Sequence, residues 1–205
     1  MSHRSIVVMA SGRGSNLAVI LDAIASGVCP VDVRMVISDK ADAGALTIAR
    51  QAGINEVLHI NPKDYADRAA YDSACGDAIE RAGSHWIVLA GYMRILSTAF
   101  VQRFADRIIN IHPALLPSFA GADGVGDALA YGVKVSGCTV HLVNEVVDGG
   151  AILAQSVVPV LDDDDRESLH ARIQQEEHRL YPATLKRIVE EGFRLDGRRV
   201  IWHKP

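Results

Sequence analysis

At 205 residues the chain is long enough for one α/β domain with a sizeable core and short for two, taking roughly 150 residues per domain. Acidic residues outnumber basic ones by 25 to 21, for a net charge of −4, which argues against a nucleic-acid backbone or an anionic membrane as partner of the bulk surface. With 49% hydrophobic and 22% charged residues the composition is that of a folded globule, and Cys29, Cys75 and Cys138, far apart and without a CxxC pair, predict a reducing cytoplasm and neither a disulfide framework nor a cysteine metal site.

No apolar run approaches the ~18 residues of a membrane span. The run at residues 6–10 is also shorter than the ~7–15 residues of a signal core and gives way to Gly-Arg-Gly-Ser-Asn, so it reads as a first buried strand. Leu17, Ile20, Leu21 and Ile24 recur at three- and four-residue steps and predict a helix over 16–25, ended near Gly27. A strand at 31–37, a helix at 43–51 stopped by Gly53, and a short strand at 56–60 follow. After Asn61-Pro62 come a helix at 65–82, a strand at 86–90, a helix at 97–105 and a strand at 108–111. Strands apolar on both faces and alternating with helices predict a mostly parallel sheet.

The second half reads differently. Residues 135–143 and 151–160 are β-rich runs with no helix-length insert between them, which predicts an antiparallel pair extending the sheet. Pro159 fits there only near a strand end or on an edge. The acidic run at 162–165 precedes a helix at 166–192, where carboxylates complement a helix N-terminus and need no metal. Asp196-Gly197 within 193–203 is a hairpin signal. The expected class is α/β: an open, mostly parallel Rossmann-like sheet with helices on both faces and an antiparallel extension, in a single domain over 1–205.

Three places could carry chemistry. The first strand runs through Ser11-Gly12-Arg13-Gly14-Ser15-Asn16 into a helix, and such a turn presents backbone N–H groups and the positive end of a helix dipole, a cradle for phosphate. Leu17 stands where a dinucleotide fingerprint has its third glycine, and a P-loop lysine is missing, so neither common nucleotide motif is satisfied; a plain tight turn is the alternative. Asn110 and His112, two apart at a strand's C-terminal end, share a face at the edge where open α/β sheets collect ligands. Asp148, ahead of Gly149-Gly150, is either a turn residue or an acid aimed at that edge.

These stretches, with Val36-Ile37-Ser38-Asp39-Lys40-Ala41-Asp42-Ala43, Leu89-Ala90-Gly91-Tyr92-Met93-Arg94-Ile95-Leu96 and Asn110-Ile111-His112-Pro113-Ala114-Leu115-Leu116-Pro117, stand in an order and spacing that resembles the phosphoribosylglycinamide formyltransferase family over nearly the whole chain. The resemblance implies formyl transfer from 10-formyltetrahydrofolate, a co-substrate, to the amine of glycinamide ribonucleotide, without a metal. It implies that residues 1–105 hold the phosphate, that 106–192 carry catalysis and folate, and that 193–205 form a terminal hairpin or tail. Asn110, His112 and Asp148 would be the catalytic residues. Gly14, Ser15, Asn16 and Met93 would meet the ribonucleotide, with Gln174 and Glu177 toward its ribose. The folate would meet Arg68 at its glutamate tail, and Leu89, Arg94, Ile95, Leu96, Val101, Val143, Asn144 and Asp148 elsewhere. His141 matches an accessory histidine in position. The implied partners are small molecules, with no nucleic acid and no membrane, and the reading leaves room for a homodimer.

One stretch departs from that family. After Pro117, positions that usually hold a proline, a histidine and an arginine are Ala120, Asp123 and Gly126. With three glycines in 118–127, this segment is expected to be poorly ordered without ligand and costly to close. Formyltetrahydrofolate deformylase is similar through the same Asn, His and Asp but uses water as acceptor and carries an extra N-terminal domain; methionyl-tRNA formyltransferases add a C-terminal one, and neither addition is expected here. A weakened folate- or nucleotide-binding module is a further alternative. A nicotinamide dehydrogenase, with Asp39 on the ribose, is disfavoured by the missing glycine.

Overall fold

Capping side chains and turn glycines decide where the elements start and stop. In the computed structural model, which describes residues 4–203, the chain runs β1 (Ser5–Met9), α1 (Ser15–Ala25), β2 (Asp32–Ser38), α2 (Gly44–Gln51), β3 (Glu56–His59), α3 (Arg68–Ala82), β4 (Trp86–Leu89), α4 (Thr98–Arg103), β5 (Ile108–His112), α5 (Gly124–Tyr131), β6 (Val135–Leu142), β7 (Ile152–Pro159), α6 (Arg166–Glu190), β8 (Phe193–Asp196) and β9 (Arg199–Trp202). The seven main strands are ordered β3-β2-β1-β4-β5-β6-β7. This is the mostly parallel α/β sheet with an antiparallel extension that the sequence predicts. Cα positions cluster in two compact units, Met1–Ile109 and Asn110–Pro205.

In the first unit β1 pairs in parallel with β2 and β4, and β2 with β3. Every residue of β1 is buried, as a strand covered on both faces must be. The predicted helix at 65–82 is corrected at its start. Asp67 caps α3, its Oδ1 accepting from Ala70 N–H at 2.8 Å, and Pro62–Asp64 form a separate 3-10 turn, so 65–67 are not helical. A side-chain oxygen that satisfies an orphan N–H sets the boundary against the apolar spacing.

In the second unit β6 and β7 pair antiparallel from Val135↔Pro159 to His141↔Ile152, with Pro159 closing its strand as expected. Asp165 caps α6 in a reciprocal box with Ser168, and Asp164 holds Arg172 at 2.7 Å, so the acidic run does serve the helix N-terminus. β8 and β9 form the predicted hairpin, with Gly197 at φ 60°.

The segment 118–127, expected to be poorly ordered without ligand, is not irregular throughout: its residues 124–127 belong to α5. Two of its three glycines open α5, and only Gly121, at φ 113°, uses glycine's conformational freedom. Asp123 caps α5 by accepting from Gly126 N–H at 3.0 Å, and it pairs with Arg166 at 2.8 Å. The aspartate that weakens the family motif supplies the cap that organises this segment.

Candidate active site

In the first unit, the chain leaves β1 and turns into α1 through Gly14, which lies at φ 83°. A Cβ there would meet Ala45 Cα at 2.7 Å, so both the backbone conformation and the close approach of α2 require glycine. The turn leaves the first N–H groups of α1 at the helix N-terminus, with Ser15 opening the helix and Asn16 buried behind it. Ser11 ties this turn to the next strand end, donating its N–H to Gly91 O at 3.0 Å and accepting Met93 N–H on Oγ at 2.9 Å. Met93 and Ile95 are largely exposed, at 75% and 63%, whereas Leu89 and Val101 are core residues. Arg94 lays its guanidinium 4.8 Å from the Tyr71 ring centre. Arg68 is exposed at the start of α3.

The second unit holds the titratable cluster. Asn110 and His112 project from one face of β5, and the structure brings both into contact with groups around Asp148. His112 is 5% exposed. Its Nε2 lies 2.8 Å from Phe119 O and its Nδ1 3.4 Å from Asp148 Oδ2. A carbonyl and a carboxylate only accept, so each ring nitrogen of His112 faces an acceptor. Asp148 stands at φ 52°, a left-handed conformation that aspartate tolerates better than most residues, and its Oδ2 accepts Gly121 N–H at 2.8 Å.

His141, whose role the sequence leaves open, connects the other two residues. Its Nδ1 donates to Leu142 O at 2.9 Å, and its Nε2 meets Asn110 Nδ2 at 3.2 Å and Asp148 Oδ1 at 3.6 Å. In this orientation of the Asn110 amide, Nε2 accepts; a protonated His141 would instead face Asn110 Oδ1 and donate. Alternation along β6 was the signal available in the sequence, since His141 and Thr139 share one side of the strand. The Phe119 carbonyl and Gly124 left no such signal. A Cβ on Gly124 would sit 3.0 Å from His112 Nε2 and 3.2 Å from Phe119 O, so a bare backbone at the start of α5 makes room for the imidazole.

Burial pushes the Asp148 carboxyl up, but the adjoining His141, the Gly121 N–H and the charge on His112 outweigh it, and the net direction is below the ordinary carboxylate value. A carboxyl lowered on folding contributes stability at neutral pH that is lost as the pH falls through the acid range. Asp148→Asn is therefore expected to narrow the loss of Tm between about pH 5 and about pH 2, and thermal melts of both proteins across that window check it. An unchanged pH slope would show that Asp148 is not held ionised by this cluster.

The turn that presents Asp148 is built by Asn144, which donates from Nδ2 to Gly149 O at 3.2 Å and accepts Val146 N–H on Oδ1 at 3.1 Å. Val143 is half-buried at its start. On α6, Glu177 is buried at 6%, while its neighbour Glu176 holds Arg179 at 3.0 Å and accepts the Ser156 hydroxyl at 2.8 Å. Glu177 is thus on the inward face, as is Gln174 in part. No group of three or more His, Cys, Asp or Glu side chains among the described residues is placed to hold a metal ion.

Residues 4–185 match the family model described as formyl transferase. The chain belongs to the formyl transferase family. This formyl transferase is 47% identical to the phosphoribosylglycinamide formyltransferase of Mycobacterium tuberculosis, over 94% of this chain and 88% of that protein. It is 43% identical to the enzyme of that name from Haemophilus influenzae, over 94% and 90%. The crystal structure of glycinamide ribonucleotide transformylase 1 from Symbiobacterium toebii superimposes with a TM-score of 0.95 at 43% identity, covering 100% of this formyl transferase and 96% of that chain.

Proposed function

We propose that this formyl transferase moves the formyl group of 10-formyltetrahydrofolate to the amine of glycinamide ribonucleotide, a step of purine biosynthesis. The observation that carries the mechanism is the contiguous set of Asn110, His141, Asp148 and His112, with Asn110 hydrogen-bonded to His141 and both histidines against the Asp148 carboxylate. Attack of the amine on the formyl carbon makes a tetrahedral oxyanion, and the neutral amide of Asn110 donates to it without titrating. His112 carries the proton that leaves the amine and reaches the departing folate nitrogen. Asp148, against His112 Nδ1, orients the imidazole and orders a water for that transfer. No step calls for a metal.

The ribonucleotide phosphate is assigned to the backbone and side chains of Gly14, Ser15 and Asn16, with Met93 beside it and Gln174 and Glu177 on the ribose hydroxyls. The folate is assigned to Arg94, Ile95, Leu96 and the turn 143–148, with Leu89 and Val101 behind and Arg68 at the glutamate tail. Asn16→Ala is expected to weaken ribonucleotide binding about tenfold and folate binding little, as one charge-assisted hydrogen bond is lost. Titration calorimetry with each substrate separates these outcomes; equal losses would point to unfolding.

The assay that tests the function uses purified protein and 10-formyltetrahydrofolate, with and without glycinamide ribonucleotide. Folate product formed only with the acceptor supports the transferase. Turnover without it would make the protein a deformylase, with water in the place of the amine.

The substitutions at Ala120, Asp123 and Gly126 lower activity on this reading, because two cationic donors near anionic substrates are missing and a carboxylate is added. A Cβ on Gly126 would overlap the Asp123 carboxylate, so positions 123 and 126 are coupled. Ala120→Pro, Asp123→His and Gly126→Arg together are expected to raise kcat/KM for the ribonucleotide on the order of tenfold, the scale of one charge-assisted hydrogen bond. Gly126→Arg alone is expected to displace the Asp123 cap and destabilise the protein by ~0.5–2 kcal/mol. Steady-state kinetics and denaturant melts of both variants check this pair of outcomes.

A further inference from the structure

The segment from Gly91 to Leu96 joins β4 to α4 without entering a helix or a strand. A stretch of backbone outside regular structure holds its shape only through whatever partners its polar groups find. Here they come from two places. Ser11 takes Met93 N–H and gives its own N–H to Gly91 O. From α3, Asp72 Oδ2 accepts Ser97 N–H at 2.6 Å, and the Tyr71 hydroxyl meets the Tyr92 hydroxyl at 2.9 Å. The Tyr71 ring also seats the Arg94 guanidinium. Among the described residues, no hydrogen bond engages the backbone of Arg94, Ile95 or Leu96.

Asp72 is an expensive way to hold a loop end. It is 1% exposed and has no ion pair with a lysine or arginine among the described residues, so a carboxyl group is taken out of water for a backbone contact. Tyr71 and Tyr92, both buried, spend their hydroxyls on each other, and burial pushes each phenol above its ordinary value. An apolar pair would fill the same space at lower desolvation cost. What the polar atoms add is direction: two fixed points, at Tyr92 and Ser97, on either side of three residues whose backbone has no partner.

We propose that Asp72 and Tyr71 are positioning residues for the folate: by holding Ser97 and Tyr92 they set the backbone of Arg94, Ile95 and Leu96 in the shape that receives it. The proposal rests on the assignment of these three residues to the folate in the proposed function. It makes α3 a determinant of folate affinity although neither residue touches the reacting atoms.

The experiment compares Asp72→Ala, Asp72→Asn and Tyr71→Phe with the parent by steady-state kinetics and by calorimetric binding of tetrahydrofolate and of glycinamide ribonucleotide. Asp72→Ala is expected to raise KM for 10-formyltetrahydrofolate and Kd for tetrahydrofolate about tenfold, with kcat and ribonucleotide Kd within about twofold, because a buried N–H loses its acceptor. Asp72→Asn keeps an oxygen for Ser97 N–H and is expected to recover most of that loss. Tyr71→Phe keeps the ring under Arg94 and is expected to raise the folate constants about threefold. It carries the test if Asp72→Ala does not fold. Amide spectra of the parent titrated with tetrahydrofolate separate the two layers of the argument. Unshifted Arg94, Ile95 and Leu96 amides would overturn the folate assignment, and the proposal with it. Shifted amides together with unchanged folate constants in the variants, or equal loss of both substrates, would overturn the positioning role alone.

Discussion

His112→Ala is expected to lower kcat by at least ~10²-fold while ribonucleotide Kd stays within a few-fold, the signature of a group that acts in the transition state. The imidazole lies between the Phe119 carbonyl and the Asp148 carboxylate, and alanine leaves no group at that position able to pass a proton. The turn at Gly14, to which the phosphate is assigned in the proposed function, belongs to the other compact unit of the chain. Single-turnover kinetics and equilibrium binding of the ribonucleotide separate the two effects, with circular dichroism to verify folding of a variant that has lost a side chain only 5% exposed. Near-parental kcat would remove His112 from the mechanism.

Asn110→Ala should cost about 10²–10³ in kcat, the usual consequence of removing one oxyanion donor. The substitution also strips His141 Nε2 of its partner at 3.2 Å. The double variant with His112→Ala is expected to be slower than either single one by much less than the product of the two factors, since both residues serve one tetrahedral species. Multiplicative losses in a double-mutant cycle would mean that the two groups act in separate steps.

The alternation of apolar runs with helical spacing was enough to place β1 to β5 and their helices, because strands covered on both faces must be apolar throughout. The same is true of the antiparallel pair β6–β7 and the β8–β9 hairpin, where Pro159 and Asp196-Gly197 carry local backbone constraints. Asn110 and His112 were legible as a pair because a strand's period of two leaves no choice of face. The order and spacing of five short motifs pointed to a formyl transferase. What the local pattern could not contain is whatever depends on a partner distant in the chain. Helix α5 was missed because glycines at 124 and 126 weaken helical propensity, while the compensation comes from the adjacent Asp123 cap, which Arg166, distant in the chain, holds by an ion pair. Phe119 O on His112 and Gly121 N–H on Asp148 are backbone contacts, and His141 meets Asn110 31 residues away in the chain and Asp148 across a turn. Only folding brings such groups within 3 to 4 Å, so the strand period placed Asn110 and His112 on one face, and the tertiary structure decided which groups meet them.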